Sequence, residues 1–266
     1  KDWRRWRHVG YCKFDGIGGD ADSPDTFWAP GIVFDGEKYH MFVVFKKGRP
    51  IPWSGEPFIV HYAAEADELL DGWKKVGVVK TPKGSIDAGL CNVADQWRMW
   101  LKHAGKVHLM TSADLVSWED HGKLEGIVNE ETGIEGPYVF FWKDHYWMIT
   151  DPHNGIQIYR SGDAEQWEKM GTVLGGPGDR DLDITRGRHP SVAVVGDRAF
   201  IFYHVEPYRP YPPKYRNFSP AEKTIKQKIC ILQVAELLYE NGKLSCDRNP
   251  LLPTGEELKE HSDSRK

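Results

Sequence analysis

The chain has 266 residues, enough for one large domain with a sizeable buried core. Its formal net charge of -4 excludes the basic surface that nucleic-acid binding needs, and no apolar run approaches the roughly 18 residues of a membrane span. The four cysteines contain no CxxC pair, so no metal site is expected, and they read as buried free thiols.

The opening residues, Lys1-Asp2-Trp3-Arg4-Arg5, carry no apolar signal segment, which leaves a leader already removed open; a secreted protein, extracellular or periplasmic, is expected. A phrase then begins at Trp6-Arg-His-Val-Gly10. It recurs at Trp73-Lys-Lys-Val-Gly77, Trp118-Glu-Asp-His-Gly122 and Trp167-Glu-Lys-Met-Gly171, with gaps of 67, 45 and 49 residues. A repeat of roughly 40–50 residues is the size of a four-stranded propeller blade.

The segments between the phrases read as strands. Residues 31–45 hold two β-rich runs around Asp35-Gly36, a strong hairpin signal, followed by a Gly- and Pro-rich loop at residues 46–57 with an isolated Trp53 and a third strand at Phe58–Tyr62. The same order returns through Leu90–Leu101 and Val107–Met110, through Tyr138–Ile149 and Ile156–Tyr159, and through Ser191–Tyr203 and Lys228–Val234. The third strands run into Ala64-Glu-Ala-Asp67, Ser112-Ala-Asp114, Ser161-Gly-Asp163 and Ala235-Glu236, just before a fourth, outer strand. Four complete units fit, about 26–80, 84–126, 132–175 and 187–252. The fold is therefore expected to be all-β, a β-propeller over residues 1–254 with a polar, frayed C-terminal tail at 255–266. Trp6–Gly10 is expected to be an outer strand, either closing the ring on the last blade or, the favoured reading, belonging to a further blade whose inner strands precede Lys1. A second aromatic loop, residues 207–216, interleaves Tyr, Arg and Pro, which suits carbohydrate or a subunit contact.

In a propeller the starts of the innermost strands gather at one end. Here those starts are Asp25-Thr-Phe-Trp28-Ala-Pro30, Ser85-Ile-Asp87-Ala-Gly89, Gly133-Ile-Glu135-Gly-Pro137 and Arg186-Gly-Arg188-His189-Pro190. Asp87 and Glu135 read as acids at equivalent positions of consecutive blades. Paired carboxylates are what glycosidic bond cleavage uses: one carboxyl protonates the leaving oxygen, and an ionised partner activates water or attacks the anomeric carbon. Lys102-His103 and Asp151-Pro-His153 follow second strands, and His103 and Asp151 are candidate substrate contacts. So are Trp28, a sugar platform or ordinary packing, and Arg188, which would bind an anionic group or pair with Asp87 or Glu135.

Taken in order, Trp28-Ala29-Pro30, Ile86-Asp87, Glu135-Gly136-Pro137 and Arg188-His189 give the chain its resemblance to the five-bladed glycoside hydrolases of the family 43 type, with families 62 and 117. The resemblance implies a five-bladed propeller acting on a polysaccharide or oligosaccharide, probing it from one end through an axial pocket. It implies Glu135 as general acid, Asp87 as the acid that orients it and raises its pKa, and His189 as the axial histidine. The family's general base is an Asp on the first blade, whose inner strands are not seen here. Asp25 is the nearest acid in sequence, and the base otherwise lies upstream or has moved. No cofactor is expected, a structural ion or water in the axial channel being left open. The expected partner is a carbohydrate, with no nucleic acid or membrane, and the oligomeric state is open. The competing readings are a carbohydrate-binding propeller without catalysis and a protein-interaction propeller; polar inner starts count against the latter.

Overall fold

The computed structural model describes residues 3, 6–14, 26–47, 55–127, 133–209 and 224–263. Sixteen strands form four antiparallel sheets of four, each in strand order. The first sheet holds β1 (Thr26–Phe34), β2 (Tyr39–Lys46), β3 (Phe58–Ala64) and β4 (Lys74–Val78). The second holds β5 (Ile86–Val93), β6 (Gln96–His103), β7 (Lys106–Ser112) and β8 (Glu119–Lys123). The third holds β9 (Glu135–Trp142), β10 (His145–Asp151), β11 (Ile156–Ser161) and β12 (Glu168–Val173). The last holds β13 (Arg188–Val195), β14 (Arg198–Val205), β15 (Ile231–Glu240) and β16 (Lys243–Asp247). This is the strand order of propeller blades, and four blades are seen among the described residues, against the five of the expected type. The chain divides into two compact units, Gly10–Val139 and Lys1–Val9 with Phe140–Lys266, the division falling within β9.

In the unit Gly10–Val139, β2 shows why strand periodicity succeeds. Phe42 and Val44 point to one face and pack with Ile59, Leu90, Met99 and Leu101, while Met41, Val43 and Phe45 point to the other and pack with Val60, Tyr62 and Trp73. Both faces are therefore apolar and buried. Phe14 covers the second face, bridging to Trp73 and stacking on Phe27 at 5.0 Å between ring centroids. The two inner strands approach closely: a Cβ on Gly31 would stand 2.1 Å from the Ala88 carbonyl oxygen, so only glycine fits.

The recurring tryptophans stand one residue before the outer strands β4, β8 and β12. The turns that lead into two of them use one device. Asp114 Oδ1 accepts the amides of Val116 and Ser117, and Asp163 Oδ1 those of Glu165 and Gln166. These bonds to the charged form hold the Asp114 carboxyl at about 2.

In the other unit, Val195, Phe200 and Val234 form a cluster covered by Trp3, Phe202, Leu252 and Leu258. Two expectations are corrected here. Trp6–Gly10 is not a strand: Trp6 is 66% exposed and donates its indole N–H to the Trp3 carbonyl, a local turn that leaves no ladder. The tail is not frayed throughout, because α1 spans Gly255–Asp263 and packs Leu258 on that cluster. Its start is a capping box: the Thr254 amide donates to Glu257 Oε2 at 2.6 Å and the Glu257 amide to Thr254 Oγ1 at 3.3 Å.

None of the cysteines forms a disulfide; Cys230 is exposed and the other three are half-buried, not fully so. Burial pushes the Cys246 thiol up to about 12.

Candidate active site

All four inner strands begin alike. Ala29, Asp87, Gly136 and His189 have φ of 38°, 57°, 52° and 44°, in the left-handed region. The ladder slips at the same place, between Trp28 and Gly31, between Ile86 and Gly89, and between Arg188 and Ser191. A bulge of this kind re-aims the side chains at a strand's end. It also corrects the alignment of the acids. The residues just before the left-handed position are Trp28, Ile86, Glu135 and Arg188, so Asp87 is the counterpart of Gly136 rather than of Glu135.

In the unit Gly10–Val139 the candidate acids lie on consecutive inner strands. The Gly136 amide donates to Asp87 Oδ2 at 3.2 Å, which sets the Asp87 carboxylate against the residue following Glu135. Asp87 is buried, and Glu135 is 27% exposed in its side chain. Lys102 stands across from Ile86 at the end of β6 and donates to Glu135 Oε1 at 2.6 Å. Lys102 thus places a cation on Glu135. An ammonium at this distance stabilises the carboxylate against the carboxylic acid.

Trp28 is half-buried and packs against the apolar cluster shared by the first two sheets. His103 sits edge-on to His108, with 4.8 Å between ring centroids, and no described hydrogen bond ties it to Asp87 or Glu135. Asp25 and Trp53 lie outside the described residues.

In the other unit Asp151 is fully buried at the end of β10. Its Oδ1 accepts the His153 amide at 2.6 Å, and its Oδ2 accepts Arg188 Nε at 2.7 Å and the His189 amide at 3.0 Å. Both oxygens are therefore occupied by protein donors, and Asp151 acts as an anchor for the start of β13 rather than as a free sugar contact. Arg188 also meets His153 Nδ1 and lies 3.5 Å from Glu206 Oε2. Arg186 donates to the His153 carbonyl at 3.0 Å and to Asn154 Oδ1 at 2.9 Å. His204 pairs across the ladder with Arg188, and burial first, then the Arg188 charge, lowers it to about 4.

Sequence reading marked Lys102-His103 and Asp151-Pro-His153 as phrases but passed over Glu206 and His204. The available signal was positional: each follows or ends a second strand at the end where the inner strands begin.

No protein-family model matches the chain, and no curated protein matches it in sequence. Solved structures do match. A thermostable family-43 glycoside hydrolase is 20% identical, with 85% of this chain and 77% of that one covered and a TM-score of 0.61. The GH43 protein BlXynB from Bacillus licheniformis is 17% identical over 96% of this chain, TM-score 0.69, and the chain spans 52% of its length. An α-L-arabinanase from Cellvibrio cellulosa, complexed with arabinohexaose, is 15% identical, covering 88% and 79%, TM-score 0.58. At these identities the likeness is one of fold. The fold is the β-propeller of family 43 glycoside hydrolases.

Proposed function

We propose that this protein is a glycoside hydrolase that acts on an oligosaccharide or polysaccharide, with Glu135 as proton donor and Asp87 as the acid that sets it. The observation that carries this reading is the pairing of two acids at the starts of consecutive inner strands, joined through the Gly136 amide. Bulged, left-handed starts are strained positions, and such strain collects at functional sites. The fold likeness to glycoside hydrolases supports it. Exo-action from an axial pocket belongs to the same proposal.

The Lys102–Glu135 ion pair favours a second reading, a propeller that binds carbohydrate without cleaving it, because an ammonium against this carboxylate works against a proton donor. Aryl glycosides separate the two. Glu135→Gln is expected to slow a substrate with a poor leaving group by a factor on the order of 10²–10⁴, and one with a good leaving group much less. No turnover of any aryl glycoside by the wild-type chain, with sugar binding retained, would establish the binding reading. Equal losses on both substrates would make Glu135 a base or nucleophile.

A further inference from the structure

A second cluster of reactive side chains lies on the last sheet. The β14 strand ends in His204-Val205, Glu206 follows directly, and Cys230 stands just before β15. The register pairs Val205 with Ile231, which brings Cys230 beside the end of β14. Strand alternation places His204 and Glu206 on one face. As a result a ring nitrogen of His204, a carboxylate oxygen of Glu206 and Cys230 Sγ all lie within 4.8 Å of one another.

Each of the three presents a ligand atom to the others. Neither ring nitrogen of His204 takes part in a hydrogen bond among the described residues, although the ring is half-buried. Arg188 and Arg209 both meet Glu206 through Oε2. The Cys230 thiol is exposed, 3.8 Å from the Lys228 carbonyl oxygen.

We propose that His204, Glu206 and Cys230 form a binding site for a zinc-class divalent metal ion, with a fourth position open to water. Imidazole nitrogen, thiolate sulfur and carboxylate oxygen together suit zinc and its neighbours, whereas calcium and magnesium take oxygen ligands. Bond lengths of about 2.0–2.3 Å to the metal require the donors to stand roughly 3.5 Å apart, so the cluster must tighten by on the order of 1 Å. Cys230 is the residue able to move, since its side chain is exposed and precedes the ladder. Binding forms a metal–sulfur bond and releases the thiol proton to solvent, while neutral His204 contributes a nitrogen lone pair. The expectation from sequence that there is no metal site rested on cysteine spacing, and here only one cysteine takes part. This proposal does not rest on the glycosidase reading.

Cobalt(II) titration of the whole chain tests it. One equivalent is expected to bind with a thiolate-to-cobalt charge-transfer band and the strong visible bands of a tetrahedral site. Cys230→Ser should abolish the charge-transfer band. It should also weaken zinc, measured by competition with a chromophoric chelator, by more than about 100-fold, beyond the 10–100-fold loss typical of an outer partner. The combined Cys12→Ser, Cys91→Ser and Cys246→Ser variant should keep both. As a readout without mutation, zinc should protect Cys230 from iodoacetamide, and calcium should not. A wild-type cobalt spectrum without the thiolate band, unchanged zinc affinity in folded Cys230→Ser, or undiminished alkylation under zinc would each overturn the site.

Discussion

Lys102 Nζ lies 2.6 Å from Glu135 Oε1, so the candidate proton donor on β9 is held by the second strand of the preceding sheet. If Glu135 is the acid, this ammonium opposes its protonated form. Lys102→Met is therefore expected to move the alkaline limb of the kcat/KM profile upward, by about 1–2 pH units, on a glycoside with a poor leaving group. A limb that stays in place would make Lys102 a structural partner only.

Asp87 combines a left-handed φ of 57° with a carboxylate that accepts the Gly136 amide. Asn tolerates that backbone and keeps an acceptor, so Asp87→Asn should fold with near wild-type stability yet slow turnover and move the alkaline limb downward. Asp87→Ala loses the acceptor and must bear the backbone conformation, at a further cost of about 1–2 kcal/mol. Urea melts of the two variants read the difference; equal melts would show that the φ is not strained.

Asp151 has both oxygens bonded and no exposure, and Arg188 is its buried partner. Asp151→Ala leaves that guanidinium without its anchor. A loss of about 3–5 kcal/mol is expected in denaturant unfolding. A loss under 1 kcal/mol would show that Glu206 and His153 suffice to hold Arg188.

Stability should fall on mild acidification. His61 is buried, bonded to His40 at 2.8 Å, and lowered from 6.5 to about 4, by burial first and then by His40. The unfolded chain takes this proton near 6.5 and the folded chain only near 4, so stability is lost as pH drops between those values and is then level for this group. Asp35, which bonds His40, is held at about 2 and adds its loss below that window. His61→Gln should flatten the dependence between pH 6.5 and about 4, read by chemical melts at each pH. An unchanged slope would show that other groups carry it.

Gly89 approaches β9 so closely that a Cβ would stand 2.0 Å from the Pro137 carbonyl oxygen. Backbone cannot yield as a side-chain tip does. Gly89→Ala is expected to cost about 3 kcal/mol or to prevent folding, seen in the soluble yield and thermal melt.

Much of the fold could be read from the chain because it rests on local chemistry. Asp35-Gly36 makes a hairpin, alternation makes β2 apolar on both faces, and Ser-x-Asp makes the turn before an outer strand. These depend on neighbours within a few residues, so four blades and their limits emerged from sequence. Thr254-Gly-Glu-Glu257 was equally local and was overlooked, which is why the helix α1 came as a correction. The acids Asp87 and Glu135 were found the same way, as polar residues where apolar ones were expected. What tertiary structure alone decided is which groups share a carboxylate. The bulges shift Asp87 by one position, a register effect that sequence phrases do not reveal. Lys102 reaches Glu135 across 33 residues, and Arg188 turns to Asp151 across 37. His204, Glu206 and Cys230 meet because β14 and β15 pair in one register. Such contacts follow from where strands stop and how sheets pack, and those are properties of the folded chain rather than of any short segment.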